Sequence, residues 1–416
     1  TDLFLEQVHP GYENPVIVFR YTANAPEATW RLACEKMRAN ASFMVYNDEN
    51  IIPAMRHCGI EADDAISYTM HGCNWPDIPG IQHQVGYHQA TLPKYLLDAL
   101  ASLDDDLPSM DPLYERLVEC FGQEITGHCD QLREARQNWA SQGPGILHVD
   151  DCFFNGPIEQ ARSWSAGGIR YPTITCAISG LATAADSLAA IDELVLRSGR
   201  VSLTDLQTAL ANDFDGNEAL RQLCLRAPKF GQDHELADGH ATRLLNAVQA
   251  EIDRACGLST QDAVIVFRCL ETDMRHIRLG AETGATPDGR HDGQPLSENT
   301  SPYPGSCRHG LTAMLKSVAS LPLQGVNSGA LNIRLQPDWL RDNEGLDRLT
   351  ALLRTYFDLG GLQCQLNVVS VEQLRAAQEH PEQHRDLMVR ITGYSAVFVD
   401  MAPHAQEEII RREEMA

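Results

Sequence analysis

A chain of 416 residues, 43% hydrophobic and 22% charged, has ample material for a core and is not disordered by composition. Its 33 Lys and Arg against 57 Asp and Glu leave a net charge of −24, which speaks against binding a nucleic-acid backbone. No apolar run approaches the ~20 residues a membrane-spanning helix needs, and the twelve cysteines, with no secretory leader pattern, are expected as free thiols in a reduced, cytoplasmic setting.

In chain order, Pro26–Met37 is predicted as a helix, with Trp30, Ala33 and Met37 on one face and Pro26 in the first turn, where a missing N–H costs nothing. Asn47 or Asp48 is placed to cap a helix over Glu49–His57. Thr91–Leu103 reads as helix up to the acidic stop at Asp104–Asp106, and Asp111–Asn138 as one long helix or a pair. After the turn Gln142-Gly143-Pro144-Gly145 the texture changes to Gly and aromatic residues around Trp164–Gly168. Leu188, Ile191 and Val195 give Ala184–Leu196 a helical period, and helices follow over Thr204–Ala211, Glu218–Leu225 and His234–Cys256, the last running into apolar Ala263–Leu270.

Thr283–Gly310 is irregular and turns at Pro287-Asp288-Gly289; so long a loop is usually functional or wraps a core. Beyond it come a helix at Thr312–Ser320, a strand pattern at Leu331–Leu335, and a helix over Leu346–Asp358 stopped by Gly360-Gly361. A strand over Leu362–Val369, a short helix Val371–Glu379, an apolar run Leu387–Ile391 into a glycine turn, and a helix Ala405–Arg412 complete the chain. No linker divides it, which predicts one α/β unit.

Familiar site motifs are missing. His234-Glu235 lacks a second histidine at zincin spacing, Gly143-Pro144-Gly145 lacks the third glycine of a dinucleotide loop, and the sequence has no Cys-x-x-Cys, P-loop or Gly-x-Ser-x-Gly. No metal site is therefore expected. Two segments stand out instead: Met70-His71-Gly72-Cys73-Asn74-Trp75-Pro76, and Val389-Arg390-Ile391-Thr392-Gly393-Tyr394-Ser395-Ala396. Taken singly, the first reads as a buried thiol in a turn and the second as a glycine at positive φ.

Taken together they resemble the glycyl radical enzyme family, which includes pyruvate formate-lyase, polyol dehydratases, choline trimethylamine-lyase, arylacetate decarboxylases and fumarate-adding synthases. The resemblance extends to Tyr46-Asn47-Asp48-Glu49, Gly167-Gly168-Ile169-Arg170-Tyr171, Ala184–Leu188, Thr286–Arg290, Pro295–Ser297, Gln365–Val369 and Arg385–Val389. It implies part of a ten-stranded α/β barrel, with residues 1–285 in the catalytic barrel and 286–416 as the glycine radical unit.

The resemblance implies that Gly393 carries a backbone radical, installed by a separate radical-SAM activating enzyme, with no cofactor bound. A glycine Cα lies between an amide donor and a carbonyl acceptor and, with no Cβ, can flatten and delocalise the spin. Cys73 would relay it as a thiyl radical that takes hydrogen from a small organic substrate, leading to C–C or C–X cleavage. His71, Asn74 and Trp75 are pocket candidates, and Arg390, Tyr394 and Ser395 shape the glycine loop.

Two departures qualify this. The family's eliminases place a glutamate base two residues after the cysteine, and here that position is Trp75, which accepts no proton. Trp75 suggests an aromatic or hydrocarbon substrate, leaving a fumarate-adding synthase as the alternative. A single cysteine between Gly72 and Asn74 argues against the adjacent-cysteine chemistry of pyruvate formate-lyase. The chain is also about half the family's length, so it is expected to be a fragment, one half of a split enzyme with a separate N-terminal polypeptide, or a non-catalytic radical-bearing partner. Homodimerisation is expected on the same resemblance, with neither nucleic acid nor membrane as a partner.

Overall fold

The computed structural model describes residues 1–9, 16–71, 74–103, 107–139, 141, 143–258, 263–270, 274–391 and 395–414. Its strands are β1 (Ile17–Tyr21), β2 (Phe43–Asn47), β3 (Thr69–His71), β4 (Trp75–Asp77), β5 (Gln82–Thr91), β6 (Tyr171–Ser179), β7 (Ile265–Leu270), β8 (Asn332–Arg334), β9 (Gln363–Asn367), β10 (Met388–Arg390) and β11 (Ser395–Val397). One sheet has the order β1-β2-β9-β8, with β2 and β9 antiparallel and the outer pairs parallel. The second, β5-β6-β7, is wholly parallel.

The segment leading into β8 joins the two sheets. Ser328 bridges Cys269 on β7, the Leu270 N–H donates to the Ser328 carbonyl at 2.8 Å, and the Asn327 N–H donates to the Arg268 carbonyl at 2.8 Å. Seven strands therefore make one connected wall.

The two faces of that wall differ in chemistry, because side chains alternate along a strand. On β9, Cys364 and Leu366 enter the main apolar core, while Gln363, Gln365 and Asn367 share the opposite face; all five are buried. On β6, Ile174, Cys176 and Ile178 alternate with Thr173, Thr175, Ala177 and Ser179. A polar face can be buried only if its groups are bonded. Here Gln82 on β5 donates to Thr173 Oγ1 at 2.7 Å, and Gln89 to Ser179 Oγ at 2.8 Å.

Helices cover the apolar face. The one over Glu27–Ala39 buries Trp30, Ala33, Cys34 and Met37 and meets Asn343–Asp358, whose Thr350 carbonyl accepts from Trp30 Nε1 at 3.1 Å. Tyr21, Trp30 and Phe357 pack with ring centroids 4.9–5.9 Å apart. The Tyr-Asn-Asp-Glu segment divides its work residue by residue. Asn47 caps the helix Asp48–His57, accepting from the Glu49 N–H at 3.1 Å, and donates to the Phe357 and Gly361 carbonyls at 3.1 and 2.9 Å. Asp48 takes the Arg20 guanidinium at 2.8 Å and the Tyr68 hydroxyl at 2.5 Å.

Three findings sharpen the sequence reading. Asp111–Trp139 is a single helix. The helix Leu181–Ile191 runs into a π-helical turn over Asp192–Arg197, where Asp192 meets His240 Nε2 at 3.0 Å. The irregular loop is largely interior: Thr286, Asp288, Arg290 and every residue from Ser297 to Ser301 are buried. A satellite core of Val369, Leu374, Ala377, Val389, Ile391, Phe398, Ile409 and Ile410 gathers the C-terminal elements. The eleven described cysteines are all free, no described helix is long and apolar enough to cross a membrane, and no group of three His, Cys, Asp or Glu fit to hold a metal occurs among the described residues.

The Gly167-Gly168 pair has a local reason. Gly167 takes φ +89° against the Trp139 ring, and a Cβ on Gly168 would collide with the Arg162 carbonyl oxygen. Gly168→Ala is expected to cost roughly 3 kcal/mol, read as a clear fall in Tm; an unchanged Tm would show that the turn yields freely.

Candidate active site: two hairpins on a buried polar wall

Two short antiparallel hairpins carry the segments singled out in the sequence. In β3–β4, Thr69 pairs with Asp77, Met70 with Pro76 and His71 with Trp75. In β10–β11, Met388 pairs with Val397, Val389 with Ala396 and Arg390 with Ser395. Cys73, Gly393 and Tyr394 lie outside the described residues, and His71 is described by its backbone alone. What can be built is the frame around both turns.

Asn74 closes the first turn at φ +70°, 1% exposed, and its side-chain oxygen and nitrogen have no hydrogen-bond partner among the described residues. Its carbonyl accepts from the Ser328 hydroxyl, so the turn hangs from the segment that joins the two sheets. Removing that hydroxyl leaves the Asn74 carbonyl buried with one donor fewer. Ser328→Ala is expected to cost about 1–3 kcal/mol and to lower turnover more than radical yield; equal losses in both would point to general unfolding instead.

The second hairpin is held by Arg390, 3% exposed. Its N–H donates to Asn367 Oδ1 at 3.2 Å and its Nε to Gln365 Oε1 at 2.9 Å, both on the polar face of β9. Another guanidinium nitrogen reaches Ser395 Oγ at 3.2 Å, and that hydroxyl donates to the Ala41 carbonyl at 2.7 Å. The polar ladder continues sideways: Gln365 donates to Asn332 Oδ1 on β8, and Gln363 Oε1 accepts from the Leu331 N–H at 2.7 Å. Arg390 and Ser395 thus tie β10 and β11 to β9 and to the Ala41 carbonyl.

Tyr46 is a further buried residue of the same wall. It sits fully buried on β2, opposite Gln363 on β9. Burial drives its phenol pKa well above the usual range, against the opposing influence of Ser328 on one side and the Arg390 charge on the other. Its hydroxyl has no hydrogen-bond partner among the described residues.

Trp75 is half-buried, and its ring lies 5.9 Å from that of Tyr87 on β5. The Tyr87 hydroxyl donates to Gln89 Oε1 at 2.7 Å and accepts from Arg275, whose guanidinium carbon stands 4.9 Å from the Tyr87 ring centroid. Arg275 opens the helix Arg275–Ala281 beyond the end of β7. The surface beside the first hairpin is thus aromatic but cationic, rather than apolar throughout. Neither Tyr87 nor Arg275 stood out in the sequence, and no local motif marks them; Tyr46 was noted only within its segment.

Residues 3–256 match the family model described as pyruvate formate lyase-like, and residues 296–399 the one described as glycine radical. The chain is 33% identical over 401 residues to the probable dehydratase YbiW of Escherichia coli (strain K12), covering 88% of this chain and 48% of that protein. It is 36% identical over 436 residues to the isethionate sulfite-lyase of Desulfovibrio desulfuricans (strain ATCC 27774 / DSM 6949 / MB), covering 96% and 50%. The glycerol-bound B12-independent glycerol dehydratase from Clostridium butyricum superposes with a TM-score of 0.85 at 28% identity, over 97% of this chain and 52% of that one. The chain thus spans about half the length of the relatives it matches. Its connected wall is part of the α/β barrel of such enzymes. A radical-type cysteine segment, a C-terminal glycine segment and a shared fold have one common explanation: the chain belongs to the glycyl radical enzyme family.

Proposed function

We propose that this chain is the radical-carrying part of a glycyl radical lyase that breaks a carbon–heteroatom bond in a small anionic substrate. Gly393 holds the resting radical after a radical-SAM activating enzyme has installed it. The Cys73 S–H passes its hydrogen atom to the Gly393 Cα, and the resulting thiyl takes a hydrogen atom from a substrate C–H. Cleavage follows on the neighbouring carbon, and the product radical recovers the hydrogen from Cys73. The observation that carries this reading is the common anchorage of the two hairpins, through Ser328 and Arg390, on one buried polar wall.

The relatives favour cleavage: their names are those of dehydratases and a sulfite-lyase, which lends no support to fumarate addition. The cation at Arg275 beside Trp75 and Tyr87 favours a substrate with a sulfonate or carboxylate over a neutral polyol. Residues 286–416 serve as the radical unit, with the satellite core tying down its end. The rest of the barrel, the activating enzyme and a second copy are the partners this reading calls for, in an anaerobic cytoplasm.

The test offers the activated, turnover-competent protein isethionate and glycerol in parallel. Turnover of isethionate with little of glycerol is expected, and Arg275→Gln should raise the KM for the anionic substrate by about 30–100-fold with a smaller change in kcat. Efficient glycerol dehydration would overturn the anionic reading.

A further inference from the structure

A cavity of about 570 Å³ between the buried loop and the helix Glu218–Arg226 is rich in positive charge for so acidic a chain. None of Asn74, Trp75, Arg275 or Arg390 lines it. Six Lys or Arg side chains line it against three carboxylates, whereas the whole chain has 33 against 57. One of the three carboxylates, Glu298, is already paired with Arg334 at 3.1 Å.

Two of the cations are buried and held by neutral groups. Lys229 donates to the Cys224 and Asp288 carbonyls at 2.9 and 3.0 Å. The Arg290 guanidinium spends its donors on the Thr286 hydroxyl and on backbone carbonyls, among them Gln294 and Thr283 at 2.6 and 2.8 Å. Two more, Arg226 and Arg308, line the cavity with no hydrogen-bond or ion-pair partner among the described residues. The third observation is Asp186, 1% exposed. Its Oδ1 accepts from the Phe230 N–H at 2.6 Å, while Oδ2 has no partner among the described residues although the residue faces the cavity. Burial pushes its carboxyl pKa up to about 8, so near neutrality the proton resides on the unpartnered oxygen and makes it a donor.

A buried carboxyl oxygen with no partner is costly unless something completes it. We propose that this cavity is a binding site for a small phosphate-bearing anion, with Arg226 and Arg308 gripping the phosphate oxygens, the Lys229 and Arg290 charges attracting it, and Asp186 donating from within. Guanidinium pairs suit phosphate because their N–H groups match its oxygens two at a time. This also gives Thr286–Arg290 and Ala184–Leu188 a role that the radical chemistry leaves open. Gly289, at φ +98° with its missing Cβ directed at the Leu225 side chain, lets the loop lie against the helix Glu218–Arg226.

Calorimetric titration with pyrophosphate at physiological salt tests it. Saturable binding near one per chain is expected, weakened at least about tenfold in the Arg226→Ala/Arg308→Ala variant, whose Tm should be unchanged because neither side chain holds the fold. No saturable binding up to about 10 mM, or binding undiminished in the double variant, would overturn the proposal. The measurement needs no radical, so its outcome is independent of the lyase reading.

Discussion

Replacing Cys73 with serine is expected to abolish turnover while leaving the glycyl radical in place. The proposed relay requires S–H and glycyl Cα–H bonds close in strength, and a serine O–H bond is far too strong for the glycyl radical to break. The whole rate enhancement passes through that transfer, so activity should fall by about 10⁶-fold or more. The radical itself needs only Gly393 and the activating enzyme, so its yield should stay near the wild-type level. Loss of both would mean that Cys73 supports the fold or the activation; retention of turnover would remove it from the pathway.

Arg390→Ala carries the second large effect. The guanidinium is the tie between the glycine hairpin and β9, and its removal leaves Gln365 Oε1 and Ser395 Oγ each one donor short in a buried setting. A loss of about 3 kcal/mol is expected, concentrated in the C-terminal elements, because the satellite core is small. Hydrogen exchange should report faster opening of β10–β11 with little change in β5–β7, and radical yield should fall. Arg390→Lys should restore part of both, since an ammonium reaches one of these acceptors but not the fork of them. Uniform destabilisation across both sheets would contradict a local anchor.

The legible part of this fold is the part that follows periodicity. The helices Glu27–Ala39, Glu235–Cys256 and Asn343–Asp358 each bury an apolar stripe at helical spacing, and Pro26, Gly257 and the capping Asp342 mark ends of the three. A strand pattern is legible only at β8 and β9, and an apolar run at β7 and β10; β1 to β6 and β11 escaped notice. β5 reads Gln-His-Gln-Val-Gly-Tyr-His-Gln-Ala-Thr, a composition that resembles a loop, yet it is a ten-residue strand paired along its length with β6. It is polar because one of its faces lines the interior of the wall, where side chains bond to β6 and to one another rather than pack in oil. Alternation tests assume that polar means solvent, and this interior breaks the assumption.

The site divides in the same way. Cys73 and Gly393 stand out only through family resemblance, since a thiol in a turn and a glycine in a turn are otherwise ordinary. Their supports are ordinary too: Ser328 lies 254 positions from Asn74, and Arg390 lies 25 from Gln365. Nothing local announces such pairs, because a hydrogen bond across the barrel is made by topology and not by spacing. Trp75 was noted in the sequence as a glutamate replaced, and the structure adds its neighbours. With Tyr87 and Arg275 near it, the position is not purely apolar.

The most direct test of the central proposal is electron paramagnetic resonance of this chain after anaerobic incubation with its activating enzyme and S-adenosylmethionine. The account predicts a doublet, split by the single remaining α-hydrogen of Gly393, that collapses toward a singlet in protein grown on α-deuterated glycine and disappears in Gly393→Ala. A doublet that persists in Gly393→Ala, or no organic radical in the wild-type chain under conditions where the activating enzyme cleaves S-adenosylmethionine, would contradict it.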